Sequence, residues 1–378
     1  MNQWKGKLGK GVPKNVTVRN RVILAVVSVI MLASVWLVSG LSRPRGLSAV
    51  RLNCYASQSV TPFGEYVLYY DGVSIHCLTH SGAVRWSLAV GEGAGFSVGA
   101  RHMAVWVNTQ MYILDYGGRP TYQDTLGDVI QFVRIGSRYA AAVIGPDTSP
   151  MLVVRDMRGT QVDKEADAFR DAMILDVGFY GDQGQYMWVT LLDMYGTVSG
   201  MTLKTFEVGK KNTGESMLGE STPYRVLFEN GRLRVITTRQ MHTYNFQGIE
   251  STADAMLVYG WQLVDAEIPP RGDAVMLFAP TAQTGSILSL SELRYLTGTT
   301  DRRFTLPTAC VGAVVYGRAI YAFAPDFIYR AEANAQRFTA YELPVQGRKV
   351  TQVIGLLEGG RVLLACTDDV YVVSLPGD

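Results

Sequence analysis

Residues 65–90 alternate short apolar runs with tight turns, and this alternation predicts the architecture of most of the chain. Three runs rich in β-branched and aromatic residues are separated by Asp71-Gly72 and Ser81-Gly82. Such side chains suit a pleated, half-buried surface, and Asp-Gly and Ser-Gly are common turn dipeptides. The segment is therefore predicted to be a three-stranded β-meander.

The same pattern of strand, turn and strand recurs to the C-terminus. The second strand of each unit is expected to begin near Glu65, His102, Tyr139, Tyr186, Arg232, Ala274, Ala319 and Arg361. These starts lie 37 to 47 residues apart, close to the period of about 40 to 50 residues of four-stranded propeller blades. The chain is therefore predicted to be all-β, an eight-bladed β-propeller. A seven-bladed ring with one irregular unit, or a pair of β-sandwiches, is the alternative.

A short apolar segment precedes the second strand of every unit and is expected to form the innermost strand, which packs between blades at the ring axis. These segments are residues 59–63, 95–99, 129–134, 174–180, 224–228, 261–264, 310–315 and 352–357. The last unit has only three strands. Residues 50–54 are predicted to supply its fourth strand and close the ring, because closure removes open sheet edges.

The front of the chain differs from the rest. Residues 1–21 contain six Lys and Arg and no acid, and residues 22–41 carry no charge. A helix of about 20 residues spans about 30 Å, the thickness of a hydrocarbon core, so 22–41 is predicted to be a transmembrane helix. A cleaved secretory signal is the alternative. The more basic flank stays in the cytoplasm. This places residues 1–21 there as a tail, 42–49 as a linker, and 50–378 outside as the propeller.

The net charge bears on whether the protein binds nucleic acid, and the cysteine spacing bears on whether it has a zinc or redox site. Without the basic tail, 29 basic residues face 33 acidic ones, a net charge of −4. Nucleic acid is therefore not expected as a partner, since it requires a basic stripe. The cysteines are Cys54, Cys77, Cys310 and Cys366, without the short spacing of zinc or redox motifs. Three of them lie in apolar runs, so we expect free buried thiols rather than disulfides.

Residues 81–86, Ser-Gly-Ala-Val-Arg-Trp, resemble the turn and tryptophan that close the repeat of pyrroloquinoline-quinone-type propellers. Residues 118–122 keep the spacing with Tyr in place of Trp, and Arg158-Gly159 keeps the turn. The Ala and Asp that precede this motif in those propellers are replaced at positions 76 and 78 by His and Leu. The resemblance therefore implies the blade geometry but not the cofactor.

The whole layout resembles a family of unknown function from Gram-positive bacteria, with one N-terminal anchor and a divergent quinoprotein-like propeller. That resemblance implies a membrane location and transfers no functional residue. Quinoprotein dehydrogenases of this fold are expected to hold calcium beside the cofactor and often have a vicinal Cys pair. No two cysteines are adjacent in this chain.

Three short motifs have structural explanations. Residues 95–99 match the GxSxG nucleophile elbow, but an inner strand without a following helix does not expose the serine as the elbow requires. Asp163, Glu165 and Asp167 alternate as in a calcium loop but lack its glycine. Residues 271–273 spell Arg-Gly-Asp in a turn that leads into a strand. No catalytic, cofactor-binding or metal-ligating residue is assigned, and no cofactor is expected.

The connections 161–173, 208–223 and 247–255 are longer than those of the first two units. Loops on a rigid scaffold commonly carry binding, so a partner surface is predicted on blades 3 to 6. The sequence thus predicts a membrane-anchored extracytoplasmic module that binds or scaffolds an envelope protein or polymer and is not an enzyme. The alternative is an envelope hydrolase or oxidoreductase, which needs convergent titratable groups in the propeller mouth.

Overall fold

Eight antiparallel sheets of four strands each make up the part of the chain that the structure describes. The structure is a computed structural model and describes residues 47–377 except 194, 197–199, 270–271, 284–288 and 346. Residues Leu47–Leu375 form one compact unit. The sheets are the blades of an eight-bladed β-propeller, as the repeat period predicts.

Each blade is a meander whose strands run from the ring axis outward. The inner strands are β2 (Thr61–Phe63), β6 (Gly95–Val98), β10 (Ile130–Ile135), β14 (Ala172–Tyr180), β18 (Pro223–Glu229), β22 (Trp261–Glu267), β26 (Gly312–Tyr316) and β30 (Gln352–Leu357). The second strands are β3 (Tyr66–Tyr70), β7 (His102–Val107), β11 (Tyr139–Ile144), β15 (Tyr186–Asp193), β19 (Arg232–Thr237), β23 (Val275–Pro280), β27 (Ala319–Phe323) and β31 (Arg361–Cys366). Six of these begin at the predicted residue, and β3 and β23 begin one residue later.

The two remaining strands of each blade complete the sheets. The third strands are β4 (Ser74–Leu78), β8 (Gln110–Asp115), β12 (Met151–Asp156), β16 (Met201–Glu207), β20 (Gln240–Tyr244), β24 (Leu290–Thr297), β28 (Phe327–Ala331) and β32 (Asp369–Ser374). The outer strands are β5 (Val84–Ala89), β9 (Pro120–Thr125), β13 (Gln161–Glu165), β17 (Lys211–Gly219), β21 (Met256–Leu257), β25 (Thr300–Cys310), β29 (Thr339–Glu342) and β1 (Ala49–Tyr55). Short 3-10 helices span Asp167–Phe169, Thr252–Asp254 and Thr281–Gln283.

The hydrophobic core of the described residues lies between the blades. Eight clusters of buried side chains each join two neighbouring blades, so the packing continues around the whole ring. Between blades 3 and 4, for example, Ala141 and Val143 of β11 pack with Met187 and Val189 of β15. Second strands are therefore buried on both faces, which explains their continuous apolar runs.

The ring is closed by the strand that comes first in the chain. β1 pairs in antiparallel fashion with β32 and is the outer strand of blade 8, and it contains residues 50–54. A guanidinium nitrogen of Arg51 lies 2.6 Å from a carboxylate oxygen of Asp369 on β32. Arg348 forms a salt bridge with the same carboxylate. The junction therefore combines strand pairing with ion pairs.

Aromatic side chains of one blade rest on glycines of the next. Trp86 on β5 packs against Gly118, and Tyr122 on β9 packs against Gly159. A Cβ at Gly118 would lie 2.4 Å from the Trp86 ring, and a Cβ at Gly159 1.8 Å from the Tyr122 ring. Trp86 of the motif in residues 81–86 thus packs between blades 1 and 2.

The predicted basic tail (1–21), the predicted membrane span (22–41) and most of the predicted linker (42–49) lie outside the described residues. None of the helices among the described residues has the length and apolar character needed to traverse a lipid bilayer. The membrane anchor stays a prediction from the sequence.

The four cysteines are free and buried, as expected from their apolar surroundings. Burial raises the pKa of Cys54, Cys77 and Cys310 to about 12 and that of Cys366 to about 11. Burial disfavours the charged thiolate, and the thiolate is the nucleophilic form. These thiols are therefore part of the hydrophobic core and are poor nucleophiles in the folded protein.

Asp71 organises the turn between β3 and β4, and this gives a test by pH. Its Oδ1 accepts the backbone N–H groups of Val73 and Ser74, and its Oδ2 contacts His76 Nε2 at 2.8 Å. These bonds, led by that of His76, lower the pKa of Asp71 to about 2. The stabilisation is complete above the ordinary pKa of about 3.8 and is lost as the pH falls towards 2.

We expect NMR titration of the Asp71 carboxyl carbon to give a pKa near 2. In Asp71→Asn, stability above pH 4 should fall, and its pH dependence between 4 and 2 should become shallower. A titrated pKa of 3.8 or higher would contradict the turn geometry.

Candidate functional site

The two ends of the blades can be told apart by their connections. Because each blade is an antiparallel meander, turns alternate between the two ends of its strands. Face A denotes the end that carries the turn between the second and third strands and the connection from the outer strand to the next blade. Face B denotes the opposite end.

Five exposed apolar side chains lie on face A of blades 4 and 5. One follows β15, one lies near the end of β17, one lies near the start of β18, one ends β21 and one precedes β22. All five positions are at the face A end of these strands. Four of them are 64 to 72% exposed, and the fifth, Tyr224, is 37% exposed. We call this group the face A patch; it consists of Tyr195, Met217, Tyr224, Leu257 and Tyr259.

Two grooves run between the inner strands beside this patch. The groove between β14 and β18 has a volume of about 190 Å³ and is lined by Asp176 and Trp188, among others. The groove between β18 and β22 has a volume of about 200 Å³ and is lined by Asp265, among others. Tyr224 and Arg225 line both grooves. The patch and the two grooves therefore share Tyr224.

β-Bulges place charged side chains at these grooves. The bulges on β14, β18 and β22 lie within residues 174–176, 223–225 and 263–265. A bulge inserts one unpaired residue and changes where the next side chain points. The residues that follow the inserted ones are Asp176, Arg225 and Asp265, so three consecutive blades present charges of alternating sign.

The two acidic side chains are held by the protein. Arg134 Nε on β10 lies 2.8 Å from Asp176 Oδ1. The backbone N–H of Val315 on β26 donates to Asp265 Oδ2 at 2.8 Å. Burial raises the pKa of Asp265 above its usual range, and the bond from Val315 and the charge of Arg225 oppose this rise.

Among the described residues, the two carboxylates that line these grooves, Asp176 and Asp265, lie on blades 4 and 6. Asp176 is engaged by Arg134, and Asp265 accepts a backbone N–H group. Within the described ranges, no group of three or more His, Cys, Asp and Glu side chains is placed to hold a metal ion. The arrangement offers apolar contact area together with a guanidinium, which suits recognition of a partner.

The serine motif in residues 95–99 forms part of a strand and packs against its neighbours. Residues 95–98 form β6, an inner strand, and Ser97 Oγ accepts the N–H of Ile135 at 3.4 Å. A Cβ at Gly95 would collide with the Trp106 ring, so the glycine allows close packing. His242 Nδ1 contacts Glu250 Oε1 at 2.7 Å within blade 5. Residues 95–99 therefore have the strand geometry expected of them, without an elbow.

Residues of the acidic triplet and of the Arg-Gly-Asp sequence also make structural contacts. Asp163 Oδ2 accepts the N–H of Gly209 at 3.0 Å, which links blades 3 and 4. Burial, with added repulsion from Asp163 and Asp167, raises the pKa of Glu165. Position 271 lies outside the described residues, whereas the Gly272 carbonyl accepts a side-chain N–H of Asn230 at 3.1 Å.

For two of the three connections, the prediction of a long loop is wrong. Residues 161–173 contain the outer strand β13, and residues 208–223 contain the outer strand β17. Outer strands are largely exposed and therefore lack the apolar signal of a buried strand. Only residues 247–255 are mainly a connection, which includes the 3-10 helix Thr252–Asp254. The partner surface on blades 3 to 6 stays a prediction; the face A patch lies within that range.

No protein-family model matches the chain, and no curated protein matches it. Solved structures are similar in fold. BamB from Moraxella catarrhalis is 10% identical with a TM-score of 0.52, covering 88% of this chain and 100% of that chain. The C-terminal WD40 domain of Sif2 is 10% identical with a TM-score of 0.59, covering 89% and 100%. The Dos1 propeller is 8% identical with a TM-score of 0.57, covering 89% and 95%. At these identities the similarity shows the fold alone: the chain is a β-propeller protein.

Proposed function

We propose that this protein is a membrane-anchored, extracytoplasmic binding module that recruits or organises an envelope protein through face A of blades 4 and 5. The observation that carries the proposal is the face A patch. Large exposed apolar side chains grouped on one surface mark interaction sites, whereas scattered ones need no explanation. Aromatic residues and Met are also the types enriched at protein interfaces.

The position of the patch supports a rigid binding surface. Three of its members, Met217, Tyr224 and Leu257, lie in strands of blades 4 and 5, which interblade clusters pack against each other and against blade 6. Met217 pairs in register with Thr202 on β16. Leu257 is tied to blade 6, because its carbonyl accepts from Arg294 at 3.3 Å. A surface fixed in this way loses little conformational freedom on binding.

Support for the anchor and for the compartment comes from the sequence. Residues 22–41 carry no charge and follow six basic residues. That order is typical of a single span with its N-terminus in the cytoplasm. The partner is then expected among proteins at the outer surface of the same membrane.

Site-specific crosslinking in intact cells tests the proposal. The photoreactive residue p-benzoylphenylalanine replaces Tyr259 on face A or, as a control, Val84, which is 63% exposed on face B. We expect a discrete protein adduct from position 259 and not from position 84. Combining the label with Met217→Gln and Leu257→Gln should reduce the adduct at least about 10-fold, since interface hot spots contribute about 2 kcal/mol or more.

Both Gln substitutions are at exposed positions, so the melting temperature should stay nearly unchanged. This separates loss of binding from loss of folding. The same adducts from both labelled positions, or adducts that persist in the Gln variant, would overturn the proposal. Absence of any protein adduct at position 259 would overturn it as well.

A further inference from the structure

We propose that Arg225 binds a carboxylate of an acidic peptide segment in the partner protein. This inference rests on the proposed function and names the chemistry of its partner. The eight inner strands, from β2 in blade 1 to β30 in blade 8, lie entirely within the described residues. Their charged residues occur only in blades 3 to 6 and number six.

Five of these six side chains already have protein partners. Arg225 differs: among the described residues its guanidinium makes no hydrogen bond and no salt bridge, although its charge opposes the rise in the pKa of Asp265. It is also exposed. The five and their partners are Arg134 with Asp176, Glu229 with Arg234, Asp265 with the N–H of Val315, and Glu267 with the N–H groups of Gly317 and Arg318.

The surroundings of Arg225 suit a ligand that approaches from solvent. The side chain lines both grooves, so a group bound there can contact β14 and β22 together with β18. Tyr224 beside it is fixed, because its hydroxyl accepts the N–H of Leu263 at 2.9 Å. A guanidinium presents five N–H donors in a planar fork and has no acceptor. The vacant donors therefore call for an anionic or carbonyl oxygen.

Groove size and local charge favour a carboxylate side chain. Each groove, at about 190 or 200 Å³, is smaller than the roughly 300 Å³ at which small-molecule pockets begin. Each fits one or two side chains of a peptide. The planar fork of Arg matches a carboxylate in bidentate fashion. The nearby charge of Asp265 repels a phosphate dianion more strongly than a carboxylate, because the repulsion scales with the charge.

The walls of the grooves and the face A patch indicate a peptide with apolar neighbours around the acid. Leu175 and Trp188 line one groove, and Leu263 and Val264 line the other. A sugar polymer would need several polar partners for its hydroxyl groups. An extended peptide with alternating apolar and acidic side chains matches both the apolar walls and the single cation.

The test uses the full-length protein in detergent and two fluorescent probes. They are the C-terminally amidated peptides Leu-Glu-Tyr-Glu and Leu-Gln-Tyr-Gln, each with an uncharged fluorophore on its N-terminus, measured by anisotropy at low salt. We expect the Glu peptide to bind about 10- to 100-fold tighter, the range for a hydrogen bond to a charged group. The preference should vanish in Arg225→Gln and shrink in Arg225→Lys, which keeps the charge without the fork. Arg303→Gln, an exposed cation on β25, is the matched control and should keep it.

Several results would overturn the inference. They are equal binding of the two peptides, failure of both to bind, an Arg303→Gln effect equal to that of Arg225→Gln, or competition by inorganic phosphate at lower concentration than by acetate. The melting temperature of Arg225→Gln reports on folding. An adduct at position 259 that persists in Arg225→Gln together with equal peptide binding rejects this inference alone. A Glu preference without an adduct at position 259 rejects the proposed function alone.

Discussion

Leu52→Ala should lower the free energy of unfolding by about 2 to 5 kcal/mol, whereas Asn53→Ala next to it should change it by less than about 0.5 kcal/mol. Leu52 lies on the closing strand β1 and is 3% exposed in the cluster that joins blades 8 and 1. Asn53 points to solvent from the same strand. Truncating Leu52 removes contacts and leaves a cavity where the two ends of the ring meet.

Chemical denaturation of the two variants, followed by intrinsic fluorescence, measures this difference. Comparable losses in both variants would contradict the expected difference between the buried and the exposed face of β1, because neither substitution removes a backbone hydrogen bond. No loss in either would mean that the ring does not depend on β1 for stability, which would contradict the packing of Leu52 in that cluster.

Gly118→Ala should cost about 2 to 5 kcal/mol of stability, more than the same change at Gly231. Both glycines have positive φ, 78° and 72°, and Ala in that region costs about 1 to 2 kcal/mol. The added Cβ at Gly118 would lie 2.4 Å from the Trp86 ring, whereas nothing lies within 4 Å at Gly231. Overpacking adds about 1 to 3 kcal/mol at Gly118 alone.

A double-mutant cycle isolates the contact between blades. In a Trp86→Ala background the collision is gone, so Gly118→Ala should cost no more than Gly231→Ala does. Thermal unfolding of the four proteins of the cycle gives the coupling energy between Trp86 and Gly118. Equal losses of stability in Gly118→Ala and Gly231→Ala in the original background would show that the Trp86 side chain moves aside without an energetic penalty. The contact between Trp86 and Gly118 would then not hold blades 1 and 2 together.

The fold could be predicted from the sequence because its most regular strands are buried on both faces. β11 and β31, for instance, appear as continuous apolar runs, and both begin where the pattern predicts. The closing segment could be placed because the last unit lacked a strand. Exposed outer strands carried no such signal, so β13 and β17 were taken for loops.

The candidate site was less accessible to sequence reasoning. A bulge inserts a single residue into a strand, and nothing in the composition around Arg225 marks one. The exposure of Met217 and Leu257 also depends on tertiary packing, since apolar residues at strand ends are as often buried. The long connections predicted in blades 3 to 6 pointed to the same blades as the face A patch, although two of the three connections contain an outer strand.

The pairing of β1 with β32 constrains the order in which the molecule can be assembled. Ala49 lies opposite Val373, so β1, the first of the described strands to be synthesised, must wait for more than 300 further residues before its partner exists. During that interval its edge and its apolar face stay exposed to other chains. Completion of the circle is thus a late, non-local event that is slow compared with the formation of each blade.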